Sequence, residues 1–454
     1  MLIDGETFPP NIQHAILCGL KEQTTIWVDG EEDGDRIVSW LLANGYTWCE
    51  GTTMTFDTCI ATNRRLFSIS IKPMPGVTVS VYNIRNMIPQ MSRHEIVETF
   101  RAKTHAESIY NAVKFLDTYN ISGPTASTAA MRDYRSESSY YKYFPDSKLW
   151  HGELADVYRG GIVSAKPGEY RDVTSYDCNS MYPTMLVNKP MPIGIPEHYD
   201  GQYMQDDNMP YHVDYLTVHV SPKRGMPDIT HLYQAEDGYI STWLTDADIR
   251  ALNIYGKVDV LESREGYKFK TARGLFRSYV EKWYSMKQHN TGAIRALAKL
   301  MENSLVGRFG VRSYDSQLAP YLDEDGDLAY SVIHKDESTK NYAPVAWWVT
   351  SLAREYLMTI IEKNIDNLIY TDTDSIVVKG HDVQGVKLGE NLGEWKKEHY
   401  KKLRIIARRR YAYVSDDGAS HNIIAGMPMN ATIAYNDFKR GSMHHSSDNV
   451  SFML

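Results

Sequence analysis

At 454 residues the chain is long enough for two or three domains with buried cores, and 43% hydrophobic with 23% charged residues describes an ordinary soluble globular protein. No uninterrupted apolar stretch reaches the roughly 18–20 residues that span a bilayer, and no basic-then-apolar leader opens the sequence, so membrane insertion and export are not expected. The four cysteines (Cys18, Cys49, Cys59, Cys178) indicate neither a zinc site nor a disulfide framework and fit a reducing cytoplasm, while the net charge of −8 argues against a nucleic-acid partner only if no local basic track exists.

Residues 24–120 read as mixed α/β, with a strand at 26–28, helical character over 36–42, an alternating strand at 77–82 and apolar residues at helical spacing over 105–119. The polar stretch 127–147 is expected to be a domain boundary. Tyr158-Arg159-Gly160-Gly161 sets an aromatic beside paired glycines just before a strand, which by itself signals a tight turn or bulge. Val173-Thr174-Ser175-Tyr176 reads as a strand ending at Asp177, and Asn179-Ser180-Met181-Tyr182-Pro183 follows. Residues 275–310 are strongly helical with a polar break at 288–292. The stretch 313–342 is loop-rich and acidic, with a turn at Asp323-Glu324-Asp325-Gly326. A long helix is expected over 345–363, then strand, acidic turn and strand over 368–378, and a short mixed segment at 423–454.

Two of these segments put carboxylates on apolar strand-like runs, an unfavourable place for charge unless a metal neutralises it. Asp372 and Asp374 sit at the tip of a hairpin, although Asp-x-Asp alone is also a common surface turn and a metal-binding element of nucleotide-sugar transferases. A helix advances about 100° per residue, so Arg295, Lys299, Asn303 and Val306 share one stripe about 80° wide. Ile294, Leu297, Leu300, Met301, Ser304 and Leu305 take the packing side. Lys396, Lys397, Lys401, Lys402, Arg404, Arg408, Arg409 and Arg410 crowd one segment with Tyr400, Tyr411 and Tyr413 among them. That run is either a solvated helix face or a track for a nucleic-acid strand. Carboxylates for Mg²⁺ and cations for a triphosphate are together what phosphoryl transfer needs.

In this order the segments resemble the three polymerase motifs of family B DNA polymerases, nearest the protein-primed bacteriophage branch, from about residue 158 to about residue 441. The resemblance implies an α+β right-hand fold of palm, fingers and thumb, preceded by a reduced exonuclease-like α/β region. It implies a DNA-templated DNA polymerase that extends a primer 3′-hydroxyl with dNTPs, using two Mg²⁺ ions or Mn²⁺ in their place. On the motif match Asp177 and Asp374 are the main metal ligands and Asp372 is a third catalytic acid and ligand. Lys299 contacts the α-phosphate and is the candidate general acid for pyrophosphate, Lys287 and Arg295 grip the triphosphate, and Asn303 lies near the incoming nucleotide. Tyr182 matches the steric gate, whose ring leaves no room for a 2′-hydroxyl. Tyr158, Gly160 and Gly161 match the YxGG motif that touches template DNA. Arg409 and Tyr411 match the KxY motif that steadies the primer terminus, with Arg in place of Lys. Val306 departs from the pattern, which has Tyr there, and so places base-pair checking rather than chemistry in question.

The implied organisation is a reduced exonuclease-like domain at 1–150, palm with a first terminal-protein-region-like insert at 151–274, and fingers at 275–310. A strand-displacement-loop-like insert follows at 311–343, then palm at 344–420 and a short thumb at 421–454. Asp4-Gly5-Glu6 has the form of the first exonuclease motif and Asp33 stands for the second, but closer together than the family spacing allows. No Tyr-x-x-x-Asp occurs between 84 and 156, where Glu107 stands nearest the third motif, so exonuclease activity is expected to be lost. The implied partners are primer-template DNA, dNTPs and a terminal protein as primer, with no membrane, in the cytoplasm of a bacterial host if the protein is viral. A catalytically decayed polymerase acting as a DNA-binding replication factor is the alternative, and retention of all three acids opposes it. A metal-dependent glycosyltransferase is a third reading, which has no use for Tyr182 or the Lys299 helix.

Overall fold

The computed structural model describes residues 23–28, 35, 39, 57–59, 64–66, 68–74, 77–84, 87–88, 98–100, 105–123, 125–150, 152–311, 316–334, 341–425, 433–445 and 451–453. Asp4, Glu6 and Asp33 lie outside these residues, as does the side chain of Glu107. The chain divides into two compact units, Met1–Ser138 with Lys282–Thr339, and Ser139–Glu281 with Lys340–Leu454. No helix among the described residues is long and apolar enough to cross a membrane.

In the first unit Gln23–Val28 runs parallel to Val77–Asn83, which pairs antiparallel with Ser68–Met74. The helix His105–Thr118 follows and buries Ile109, Ala112 and Leu116, residues three and four apart on one face. The polar stretch expected to be a boundary is largely helical over Ala126–Glu137, capped by Thr125, whose hydroxyl accepts from the Thr128 amide. Ala126, Ala129, Ala130 and Tyr134 turn inward, so the polar composition belongs to an outer helix face. The division between the units nevertheless falls in this stretch, after Ser138. Tyr134 meets Phe309 edge-on at 6.2 Å, and Asp133 accepts from Lys282 Nζ at 2.9 Å and Trp283 Nε1 at 2.8 Å. The stretch expected to be loop-rich is a β-hairpin, Ser316–Leu322 against Leu328–His334. Its acids gather in the turn, where Asp323 accepts from the amides of Asp325 and Asp327.

The second unit carries two large antiparallel sheets, besides the short pair Met443–His445 and Ser451–Met453. Four strands run in the order Tyr239–Thr245, Tyr211–Pro222, Gly256–Ala272, Met191–Asp200. Seven run in the order Ser420–Ile424, Arg410–Ser415, Trp395–Ala407, Gly168–Cys178, Ser375–Lys379, Leu368–Asp372, Val163–Ala165. Val173, Ile369, Val377, Leu403 and Ile405 gather in one core cluster of the seven-stranded sheet, as the two-residue period of a strand requires. The helix Pro344–Lys363 is buried on nearly every side, and Trp150 packs edge-on against Trp347 at 5.8 Å and Tyr342 at 5.2 Å.

The basic segment forms the strand Trp395–Ala407, the turn after it and the start of the strand Arg410–Ser415, so the solvated helix face is excluded. Several of its cations already have protein partners. Arg404 binds Glu169 at 2.9 Å and the carbonyls of Tyr435 and Phe438. Lys397 donates to the His381 carbonyl, Lys401 to that of Asp416, and Arg409 binds Asp372. Tyr400 is a core residue stacked on Tyr413 with centroids 4.0 Å apart, which removes it from the expected nucleic-acid track.

Candidate active site

Sheet register assembles the three carboxylates. Asp177 ends the central strand Gly168–Cys178 and pairs with Ser375, which on its other side pairs with Asp372. Adjacent strands lie about 4.8 Å apart, so the acids leave one end of three neighbouring strands. The Cys178 amide donates to the Asp374 carbonyl at 2.9 Å and ties the strand end to the hairpin turn. Asp177 is exposed, and Asp372 and Asp374 are half-buried. The turn is tight: the Asp374 amide donates to the Asp372 carbonyl at 2.6 Å, and Thr373 between them has φ +56°. A β-branched residue in the left-handed region is strained by about 1–3 kcal/mol. Two contacts hold it there. The Thr373 amide donates to the Ile162 carbonyl at 2.8 Å, and its hydroxyl donates to Asp372 Oδ1 at 2.9 Å.

The Tyr158-Arg159-Gly160-Gly161 segment lies against this turn. A Cβ at Gly161 would stand 2.7 Å from Thr373 Oγ1 and 2.9 Å from its Cα, so glycine is needed for the close approach. Gly160 has open space around it. Both carbonyls before Gly161 are held from the long helix, because Arg354 Nη1 donates to Arg159 and Gly160 at 2.8 Å each. Arg354 is 1% exposed and pairs with Asp248, itself fully buried. Burial opposes ionisation of Asp248, but Arg354 and Arg159 outweigh it and hold the carboxyl below the usual carboxylate range. The Arg159 side chain reaches the other sheet, donating to Thr242 Oγ1 at 2.7 Å and to the Trp243 carbonyl at 2.8 Å.

Tyr182 sits in the first turn of the helix Met181–Asn188 and is half-buried. Burial pushes its phenol up to about 12, Arg354 opposes that, and Tyr158, Asp374 and Asp372 reinforce it, so the ring stands within the field of the hairpin acids. The Cys178 thiol, buried beneath the site, is likewise pushed up to about 12 by desolvation and then by Asp374 and Asp177. Asp372 accepts at both oxygens: from Arg409 Nε and Nη2 at 2.9 Å each, and from Tyr370 Oη at 3.2 Å. Tyr411 is half-buried against Tyr370, with centroids 5.1 Å apart.

The remaining candidates belong to the first unit, on the helices Arg277–His289 and Gly292–Phe309. Arg295, Lys299 and Asn303 are exposed along one stripe, as expected. Val306 is only 2% exposed: it lies with Leu305, Phe309 and Gly310 on the enclosed side of the helix's last turn, while Gly307 stays exposed, and this corrects its placement on the polar stripe. Lys287 is also buried, and its Nζ donates to Glu302 Oε2 at 2.6 Å, joining the two helices. Arg295 donates to the Lys287 carbonyl, and Asn303 Nδ2 to that of Lys299 at 3.0 Å.

Residues 93–385 match the family described as DNA polymerase type B, organellar and viral. The chain belongs to that family. This type B polymerase is 26% identical over 435 residues to the DNA polymerase of Bacillus phage M2, covering 84% of this chain and 76% of that one. It is 28% identical over 280 residues to the DNA polymerase of Streptococcus phage Cp-1, covering 57% and 49%. The solved structure of phi29 DNA polymerase complexed with primer-template DNA and incoming nucleotide substrates matches with a TM-score of 0.81 at 22% identity, over 95% of this chain and 89% of that one. The polymerase therefore has the right-hand fold of family B and is a DNA-directed DNA polymerase.

Sequence reasoning missed Arg354, Asp248 and Thr373 in this polymerase. The available signal was Arg354 itself, a cation amid Trp347, Trp348, Leu352 and Leu357 on a largely apolar helix, which calls for a buried partner. Its partner stands 106 residues earlier and carries no local mark.

Proposed function

We propose that this polymerase adds deoxynucleoside monophosphates to a primer 3′-hydroxyl on a DNA template with two Mg²⁺ ions held by Asp177 and Asp374, Mn²⁺ being a substitute. The register that brings Asp177 opposite Ser375, beside Asp374, carries this reading. The donors suit the ion, since hard carboxylate oxygens at a half-open strand end leave room for the waters Mg²⁺ retains. When bound, Mg²⁺ lowers the pKa of the primer hydroxyl and neutralises charge on the triphosphate.

The chain's own residues do the rest. Arg295 and Lys299 bind phosphate oxygens, Lys299 Nζ delivers a proton to the departing pyrophosphate, and Asn303 lines the nucleotide site. Lys287 joins them by exchanging Glu302 for phosphate, because its ammonium is otherwise committed to that carboxylate. Asp372 becomes a ligand only when Arg409 releases it; until then it holds Arg409 and, through the Tyr370 hydroxyl, the ring on which Tyr411 packs, in place for the primer end. Tyr182 lies beneath the sugar, and Tyr158, Gly160 and Gly161 receive the template backbone.

The resemblance supports a domain order of reduced exonuclease-like region at 1–150, palm at 151–274 and 344–420, fingers at 275–310, an insert at 311–343 and thumb at 421–454. It also supports a terminal protein as primer and replication in the cytoplasm of a bacterial host. Primer extension on a labelled template tests the proposal. Asp374→Asn should abolish incorporation and leave duplex affinity nearly intact, since removing a ligand charge costs transition-state stabilisation while phosphate contacts set affinity. Extension above about a tenth of the parent rate would overturn the metal assignment. Without dNTPs the same preparation should leave a labelled single strand at full length; shortening that depends on Asp4 and Glu6 would establish an exonuclease.

A further inference from the structure

Midway along the central strand, three side chains converge that polymerisation does not use. Asp172 lies on that strand, His381 just after the hairpin strand Ser375–Lys379, and His399 on Trp395–Ala407. Their ligand atoms all lie within 4.8 Å of one another. Asp172 precedes Asp177 by five residues, about 17 Å along a strand, so the group is separate from the carboxylate hairpin.

We propose that Asp172, His381 and His399 form a second cation site that takes one divalent ion of zinc's class, with water completing the coordination. Ligands about 2.0–2.1 Å from a tetrahedral zinc stand about 3.3–3.4 Å apart. Asp172 Oδ1 is 2.9 Å from His399 Nε2 and 3.5 Å from His381 Nε2, already near that spacing. Two imidazole nitrogens and one carboxylate oxygen favour zinc over magnesium, which prefers oxygen alone.

The surroundings orient both rings. His399 Nδ1 bonds Asp416 Oδ1 at 2.6 Å, the carboxylate–imidazole arrangement that turns the other nitrogen toward a metal. His381 Nδ1 lies 3.4 Å from Thr174 Oγ1, whose own proton goes to the Gly380 carbonyl, so that oxygen accepts and leaves His381 Nε2 as the free lone pair. The His381 carbonyl is pinned by donors from Tyr176 and Lys397. Asp172 has φ +55°, a left-handed strand residue of the kind that clusters at functional positions. Bound there, the ion ties the strand carrying Asp177 to the segment leaving the Asp372–Asp374 hairpin.

The rival arrangement is metal-free, with His399 a charged imidazolium between Asp172 and Asp416. Titrating the full chain with Co²⁺ in excess Mg²⁺ separates the two, because Mg²⁺ occupies carboxylate sites and leaves nitrogen-rich ones. The expected result is one saturable equivalent with the visible absorption of low-coordinate cobalt, displaced by one equivalent of Zn²⁺. His381→Ala, at a side chain 54% exposed, should weaken Co²⁺ binding at least tenfold without unfolding the chain, and His399→Ala should do the same. Asp374→Asn should leave the spectrum intact. No saturable spectrum, its survival in both histidine variants, or its loss in Asp374→Asn would each overturn the proposal.

Discussion

Arg409 holds Asp372 with a planar fork, Nε to Oδ2 and Nη2 to Oδ1, each at 2.9 Å. The Arg409 side chain is 51% exposed, so as an ion pair the fork adds no more than about 1 kcal/mol of stability. Its weight lies in orientation: it fixes one of the two acids of the hairpin and aims a guanidinium at the same place. Arg409→Ala is therefore expected to lower single-nucleotide incorporation at least tenfold, about 1.4 kcal/mol, while its melting transition barely moves. The freed Asp372 should also lower the Mg²⁺ concentration for half-maximal rate. Arg409→Lys should recover the rate only in part, since an ammonium cannot span both oxygens. An unchanged rate in both variants would reduce the fork to a surface ion pair.

Gly161 and Gly160 separate two roles that paired glycines leave mixed. Gly161→Ala drives a methyl into the side chain and Cα of Thr373, an overpacking cost of about 1–3 kcal/mol that displaces the turn carrying Asp374. Incorporation should fall at least tenfold in a chain that still melts cooperatively. Gly160→Ala meets nothing within 4 Å and should retain stability, so any loss it causes must appear in DNA affinity. Equal melting temperatures and equal rates for both variants would remove the close approach from the argument.

The hairpin acids and the Lys299 helix are legible in the sequence because strand and helix periods are local. Leu368–Asp372 and Ser375–Lys379 announce a hairpin, and Arg295, Lys299 and Asn303 fall on one stripe by angle alone. What fails is whatever depends on partners distant in the chain. The basic segment suggests a DNA track, yet Arg404 is committed to Glu169, 235 residues earlier. Val306 is angularly on the polar stripe but buried, because what packs against one side of the last turn is a tertiary fact. Asp172, His381 and His399 carry no spacing signature, since antiparallel register rather than a short motif brings them together.

Arg354 and Asp248 give a prediction with a defined sign in pH. In the native chain the Asp248 carboxyl sits below its usual range, so its contribution is fully present above the unfolded pKa of about 4 and is lost as pH falls through the folded value. Arg354→Met removes the main compensating charge and leaves the buried carboxylate with burial dominant, raising its pKa instead. That variant should lose about 3–5 kcal/mol at neutral pH. Its deficit against the parent should shrink as pH falls from 7 toward 4, and adding Asp248→Asn should recover part of it. Denaturant melts across that range read the effect; a deficit independent of pH would mean that lost packing, not the orphaned charge, is responsible.

Tyr182 is proposed to discriminate sugars by shape, and its surroundings allow that role to be isolated. Its phenol stays protonated at neutral pH, pushed up to about 12 by burial, with Arg354 opposing and Tyr158, Asp374 and Asp372 adding to the rise, so the ring acts as a neutral plate rather than a charged group. Tyr182→Val opens the space beneath the sugar and removes no ligand or cation. The ratio of ribonucleotide to deoxyribonucleotide efficiency should rise at least tenfold, about 1.4 kcal/mol, chiefly through better ribonucleotide use. Tyr182→Phe keeps the ring and should hold the ratio near the parent's, which separates shape from hydrogen bonding. Single-nucleotide kinetics with matched rNTP and dNTP pairs measure both variants, and an unmoved ratio in Tyr182→Val would dispose of the steric role.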